Sequence, residues 1–231
     1  EMGYGGFKIH GWGGEDAARD VEREVATVRA VGERVGDRMN LMMDPACEYE
    51  TFADALEVGR ACDEHGYLWY EDPYRDGGIS QHAHATLRER IDTPLLQTEH
   101  VRGLEAKTDF VDAAATDFVR ADPEYDGGIT GAMKIANVAE GFGLDIEYHA
   151  PGPAQRHLMA ATRNSNYYEL ALVHPGARNP VPPVYSGGYN DQIDAINDDG
   201  TVPVPDDPGL GVDYDWEFIE DNATGSVHVY E

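Results

Sequence analysis

Residues 39–73 read MNLMMDPACEYETFADALEVGRACDEHGYLWYEDP, and this stretch decides the fold. It opens on a short apolar strand, Met39 to Met43, and turns into a helix from about Thr51 to His65. Phe52, Leu56 and Cys62 lie along that helix, and Gly66 ends it because glycine takes a left-handed backbone without a steric penalty. Tyr67 to Tyr70 is the next strand. Strand, helix and strand in this order form a parallel βα unit.

The same pattern extends in both directions. Gly6 to His10 is a strand, and Val21, Val25, Val28 and Val35 then fall on one face of a helix bounded by Gly14 and Gly36. Pro94 to Thr98, Phe118 to Ala121, Leu144 to Tyr148 and Tyr167 to Val173 supply four more strands, which makes seven. Helical stretches run from Leu104 to Ala115, Gly128 to Gly141 and Ala154 to Thr162. The unit recurs without a shared side-chain motif, so a closed α/β barrel fits better than a solenoid. From Pro175 onward Pro, Gly, Asn and Asp dominate. The expected organisation is therefore a barrel over residues 1–174 and a loop-rich extension over 175–231 that wraps the barrel or carries a small terminal hairpin.

A chain of 231 residues is long enough for one α/β barrel. Its 44 acidic residues against 17 basic ones give a formal charge of −27, a field that repels nucleic acid and anionic membrane surfaces alike. Lysine occurs only as Lys8, Lys107 and Lys134, a pattern that suits a halophilic surface solvated in high salt. No apolar run approaches the roughly 20 residues of a membrane span. Cys47 and Cys62 are too few for a disulfide framework and read as reduced. No signal peptide is legible, which reads as cytoplasmic, and Glu1-Met2-Gly3 opens the chain as though cut from something longer.

The chemistry lies at the strand ends. Lys8 and His10, Asp44, Glu71, Glu99, Asp122, His149 and Glu169 each stand at the carboxyl end of a strand, and in a barrel those ends converge on the face that carries the active site. Asp44, Glu71 and Glu99 fall on successive strands about 27 residues apart. Three carboxylates cannot share a pocket without a counter-charge, and oxygen-only ligands favour Mg²⁺. Asp122 beside His149 would fix the imidazole tautomer and raise its basicity, which makes His149 the first choice for proton transfer. His100 is expected to face the other way along the strand, in a packing role or supporting a ligand rather than as a ligand itself, Cys47 to be structural, and Arg156 and His157 to lie on the surface.

These residues resemble the mandelate racemase and acid-sugar dehydratase branch of the enolase superfamily. Lys8-Ile9-His10 stands in place of its Lys-x-Lys, and Asp44, Glu71-Asp72-Pro73 and Glu99 stand in place of its three metal ligands. Asp122 with Gly127-Gly128-Ile129-Thr130, His149, and the tail Val204-Pro205-Asp206-Asp207-Pro208-Gly209-Leu210-Gly211 complete the likeness. The resemblance implies a (β/α)7β barrel of the enolase C-terminal kind. It implies Mg²⁺-assisted removal of the α-proton of a carboxylate through an enediolate, with loss of water from a sugar acid as the leading reaction. It casts Lys8 as the cation that meets the substrate carboxylate and Glu169 as the acid that hydrogen-bonds that carboxylate as charge builds.

Two departures bear on this. His10 stands where a second lysine often acts as base, so racemisation or epimerisation with His10 and His149 on opposite faces is the alternative. The family's N-terminal capping domain and first barrel strand are not represented ahead of Lys8. A non-catalytic truncated barrel is the reading of another class, and an open strand edge would call for another chain of the same kind to cover it, as in a homo-oligomer.

Overall fold

The computed structural model describes residues 3–11, 20–75, 78–170 and 184–225. Six strands form one parallel sheet whose spatial order follows the sequence: β1 (Gly6–His10), β2 (Asn40–Asp44), β3 (Trp69–Glu71), β4 (Leu95–Gln97), β5 (Phe118–Ala121) and β6 (Asp145–Tyr148). Helices α1 (Val21–Val35), α2 (Phe52–Asp63), α3 (Gln81–Arg88), α4 (Leu104–Asp112) and α5 (Gly128–Phe142) connect them, and α6 (Pro153–Ala161) follows β6. Asp20, Thr51 and Ser80 cap α1, α2 and α3, each accepting a hydrogen bond from the backbone N–H three residues on. No described helix is long and apolar enough to cross a membrane.

Period-two alternation sends the strand side chains to opposite faces. Outward-facing Leu41, Met43, Tyr70 and Leu95 pack with Val28 of α1, Val58 of α2 and Leu87 of α3. Val119, Ala121, Ile146 and Tyr148 pack with Ile135 of α5 and Leu158 of α6. On the inner face Met42, Trp69, Leu96 and Phe118 meet one another and Tyr167. Trp69 of β3 and Phe118 of β5 meet across β4 with ring centroids 5.7 Å apart, as a curled sheet allows, so the architecture is a curled parallel sheet with helices outside and an apolar inner layer.

Tyr167 to Val173 was expected as a seventh strand. Residues 167–170 carry no strand, and 171–173 lie outside the described residues. The reason is a side chain. Glu147 Oε1 accepts the Asn166 N–H at 3.2 Å and Oε2 accepts the Tyr167 N–H at 3.1 Å, so a carboxylate takes the donors that a backbone ladder would use. The segment still bridges β6 to β1. Its Tyr167 hydroxyl bonds Asn40 beside β1, and a Cβ on Gly6 would lie 3.1 Å from the Tyr167 ring.

Helix α3 was not anticipated, because only His84 and Leu87 of its eight residues are buried and its apolar residues, Ala83, Ala85 and Leu87, are few and mostly small. Near the C-terminal end of the described chain, β7 (Tyr185–Ser186) pairs antiparallel with β8 (Asp213–Tyr214), and α7 (Trp216–Asp221) follows. Arg156 was expected on the surface and is instead 3% exposed. Its guanidinium donates to Asp191 Oδ1 at 2.5 Å, to Pro203 O at 2.8 Å and to Tyr168 Oη at 3.2 Å, which ties residues 190–203 to α6. His157 is partly buried, with Nε2 3.1 Å from Leu210 O. A guanidinium on the inner turn of a surface helix looks solvent-facing until its acceptors, dozens of residues away, are known.

Burial raises the Glu147 carboxyl to about 7, against the Asn166 and Tyr167 donors and Arg120, which favour the anion. An acid whose folded-state value exceeds its unfolded one binds more protons when folded, so stability falls as pH rises between the two values. Stability should drop by about 3 kcal/mol as pH rises from about 4.5 to 7.5, since each tenfold change in proton affinity is worth about 1.4 kcal/mol. In Glu147→Gln that component of the pH dependence, read from urea unfolding, should vanish; an identical slope in the variant would assign it elsewhere.

Candidate active site

Above the apolar inner layer the same alternation places charged side chains. Lys8 and His10 come from β1, Asp44 from β2, Glu71 from β3, Arg120 and then Asp122 from β5, and Glu147 and then His149 from β6. Glu99 follows β4, and Glu169 comes from the segment that bridges β6 to β1. All the expected site residues except His10 join one connected network, and His10 touches its margin.

Lys8 Nζ lies 3.0 Å from Asp44 Oδ2, 2.8 Å from Glu71 Oε2 and 3.2 Å from Glu169 Oε1. Arg120 reaches Glu169 Oε2 at 2.5 Å, Glu71 Oε1 at 2.9 Å and Glu99 Oε2 at 3.9 Å. His149 Nδ1 lies 2.6 Å from Asp122 Oδ2, and its other nitrogen, Nε2, lies 3.3 Å from Glu99 Oε1. His10 Nε2 stands 3.8 Å from Asp44 Oδ2 on a side chain more than a third exposed. The network thus runs without a break from β1 across the pocket to β6.

The electrostatic consequences follow from burial and neighbours. Burial opposes the Lys8 charge, but Glu169, Glu71 and Asp44 overcome it and hold the ammonium far above the ordinary lysine range. Burial opposes the Glu169 charge too, yet Arg120 and Lys8 drive its carboxyl well below the usual range, so it is an anion here. His149 is raised: burial works against its charge, and the Asp122 hydrogen bond with Glu99 outweighs it. Asp72 is pushed well above the carboxylate range by burial and then by Glu71 and Glu99.

The loops that carry these groups are backbone-strained. Six non-glycine residues among those described have positive φ, and five of them adjoin the site: Ala46, Cys47, Asp72, Thr98 and Ala150. Such conformations persist only where the surroundings enforce them, and they gather at functional sites. Asp44 Oδ1 accepts the Ala46 N–H at 2.9 Å, and Asp122 Oδ1 accepts the Glu124 N–H at 2.7 Å, so two of the carboxylates are fixed by their own turns.

Behind the dyad stands a buried anchor that the sequence did not disclose. Asp126 Oδ2 accepts the Asp122 N–H at 2.9 Å and pairs with Lys107 Nζ at 3.1 Å. Lys107, 2% exposed, also donates to Thr98 O and Arg120 O. Arg120 and Glu147 were missed as well. Each lies two residues before an expected site residue, on the same inner face, and that period was the available signal.

The donor set fits a hard divalent cation. Asp44, Glu71 and Glu99 offer oxygen alone from three adjacent strand ends. Lys8 and Arg120 offset only two of the four charges on Asp44, Glu71, Glu99 and Glu169, which leaves an excess matching one divalent ion. Glu71 is fully buried, and its Oε1 meets Arg120 Nε off the hydrogen-bond line, with no hydrogen-bond partner among the described residues. Lys8 and Arg120 stand between the three carboxylates, which do not bring three oxygens within 4.8 Å of one another.

Gly131, on the first turn of α5, lies so close to the preceding loop that a Cβ there would fall 1.6 Å from Asp126 O. Gly131→Ala must displace the loop that holds Asp126 and, through it, Asp122. The expected cost is about 1–3 kcal/mol, as for other overpacked sites. Thermal unfolding of the variant measures it, and an unchanged melting temperature would show that the loop yields freely.

The chain matches the family described as enolase C-terminal domain-like over residues 1–218. It is 29% identical over 216 residues to the arabinonate dehydratase of Saccharolobus solfataricus, covering 91% of this chain and 53% of that protein. It is 28% identical over 206 residues to the N-succinylamino acid racemase of an Amycolatopsis species, covering 89% and 54%. Among solved structures, the D-glucarate dehydratase from Agrobacterium tumefaciens complexed with magnesium superposes with a TM-score of 0.80 at 31% identity, covering 96% of this chain and 56% of that one. The chain spans about half the length of the relatives it matches. With the match running from residue 1 into α7, to residue 218, and the curled parallel sheet beneath it, this chain belongs to the enolase C-terminal domain-like family.

Proposed function

We propose that the protein removes the α-proton of a hydroxy-carboxylate with one Mg²⁺, and that with a sugar acid it completes a dehydration to a 2-keto-3-deoxy acid. The observation that carries this is an imidazole oriented by Asp122 and placed 3.3 Å from Glu99, within a pocket whose carboxylates exceed its fixed cations. The magnesium named for the D-glucarate dehydratase structure supports the choice of ion. Asp44, Glu71 and Glu99 would hold it. When bound, the ion supplies Lewis-acid stabilisation of the negative charge that builds on the substrate carboxylate.

The chain's own groups divide the remaining work. Lys8 stays an ammonium because three carboxylates surround it, so it binds the substrate carboxylate as a cation and is not a base. A substrate carboxylate competes with Glu169 for Lys8 and, by its own negative charge, raises the proton affinity of Glu169 against the pull of Arg120; once protonated, Glu169 would donate a hydrogen bond to that carboxylate. The α C–H bond breaks with its proton passing to His149 Nε2, and the electron pair passes into the carboxylate. That pair then returns to form the α,β double bond as the β C–O bond breaks, and His149 gives its proton to the departing hydroxyl. Water leaves, and the resulting enol becomes the keto acid. Asp122 keeps Nδ1 protonated throughout, so Nε2 is the nitrogen that works.

His10 favours a second reading. It approaches Asp44 from β1 while His149 approaches Glu99 from β6, and two imidazoles at opposite margins could exchange a proton across one carbon, as a racemase or epimerase requires.

Proton NMR of a panel of sugar acids with the protein and Mg²⁺ in D₂O separates these readings. The expected result is loss of the α-proton signal together with a keto-deoxy product; loss without product assigns the epimerase, and no exchange with any acid refutes both. Asp122→Asn should lower kcat about 10²–10⁴-fold, the range that general acid–base groups contribute, with little change in KM. Equal activity in that variant would show that Asp122 does not position His149 for proton transfer.

A further inference from the structure

A second cluster lies just outside the first. Asp72 directly follows Glu71, His100 directly follows Glu99, and Cys47 stands three residues after Asp44. One donor atom from each of Cys47, Asp72 and His100 lies within 4.8 Å of the other two, and no other group of three histidine, cysteine or acidic residues does so among the described residues. His100 Nε2 is 3.7 Å from Asp72 Oδ2. The Cys47 N–H donates to Asp72 O at 2.8 Å, so the loops after β2 and β3 are already joined by backbone.

Asp72 gives the cluster its meaning. It is 1% exposed, and neither of its carboxylate oxygens has a hydrogen-bond partner among the described residues. Gly78 passes so close that a Cβ there would lie 2.7 Å from Asp72 Oδ1, which covers the carboxylate on one side. A buried carboxylate without donors is strongly disfavoured as an anion unless a cation satisfies it, and a cation bound here would displace the proton that burial favours. The half-buried thiol of Cys47 and the partly exposed imidazole of His100 flank it.

We propose that Cys47, Asp72 and His100 form a second cation site, one for a borderline-soft divalent ion of the zinc class. A sulfur, a nitrogen and an oxygen donor select Zn²⁺ or Co²⁺ and disfavour Mg²⁺, which takes oxygen ligands. Three protein ligands leave a fourth position for water. The ion would clip together the chain just beyond β2, β3 and β4, and so fix the frame from which Asp44, Glu71 and Glu99 project. Two sites of opposite softness would then stand side by side, with Glu99 Oε1 3.6 Å from His100 Nε2 at their border.

Cobalt(II) tests this optically. Metal-stripped protein is titrated with Co²⁺ under saturating Mg²⁺, and a thiolate-to-cobalt charge-transfer band in the near ultraviolet is expected at one equivalent. The band reports Cys47, because Cys62 is fully buried in the helix core. Cys47→Ser should abolish it, and His100→Ala should weaken Co²⁺ binding at least about tenfold. Zn²⁺ should bleach the band and, at a hundredfold excess over its Kd, raise the melting temperature by roughly 5–10 °C in the parent protein and not in Cys47→Ser. Absence of the band, its removal by millimolar Mg²⁺, or equal Zn²⁺ stabilisation of parent and Cys47→Ser would each overturn the proposal. Circular dichroism of both variants confirms folding. The readout needs no turnover, so its failure and the failure of the sugar-acid reaction are separate results.

Discussion

The structure depends on the pairing of two cations, the partly buried Lys8 and the buried Arg120, with carboxylates that arrive from different strands. Without them, Asp44, Glu71, Glu99 and Glu169 would repel one another across a space of low dielectric, where like charges interact far more strongly than in water. With them, the repulsion becomes a lattice of alternating sign that links β1, β2, β3 and β5 to the segment bridging β6 and β1. Breaking a buried pair of this kind by removing one partner costs about 3–5 kcal/mol, because the other partner is left as an uncompensated charge. The pocket and the closure of the sheet are therefore one electrostatic object, and the excess carboxylates that invite a divalent ion also strain the fold that presents them.

Period two explains how so much of this was legible. The ends of β1, β2, β3, β5 and β6 were visible as short apolar runs, and the ionisable residue closing each run kept the same phase from strand to strand. That phase marked Lys8, Asp44, Glu71, Asp122 and His149 as neighbours, and the structure brings them into one network. Glu99 joins it across Thr98, whose φ of 89° breaks the regular alternation at the end of β4. That kink was not legible, because nothing in Leu95-Leu96-Gln97-Thr98 announces it.

What sequence reading missed shares one cause. Arg120, Glu147, Asp126, Lys107 and Arg156 look like ordinary surface charges in a strongly acidic chain, and each is buried by a partner far away in sequence or on another element. Local patterns register a buried apolar residue through its neighbours' spacing, but a buried charge is licensed only by its acceptors. Arg156 illustrates the limit: its helix is amphipathic by pattern, and the acceptors Asp191 and Pro203 lie in a tail with no periodicity at all. Helix α3 escaped for a related reason, since a polar helix that buries two side chains carries little apolar signal.

In the segment from Asn164 to Leu170, side chains replace the backbone ladder. The segment is held at one level by the Tyr167 ring among Met42, Trp69 and Phe118, at the next by Glu147 accepting its N–H groups, and at the top by Glu169 between Lys8 and Arg120. A ladder of N–H to carbonyl bonds is indifferent to charge, whereas the topmost of these three attachments depends on it. Any ligand that draws Lys8 or Arg120 toward itself loosens the topmost attachment while leaving the Tyr167 plug in place. Closure of the curled sheet is thus coupled to occupation of the pocket at its upper layer and independent of it below, which confines the adjustable part of the seam to the level where chemistry would take place.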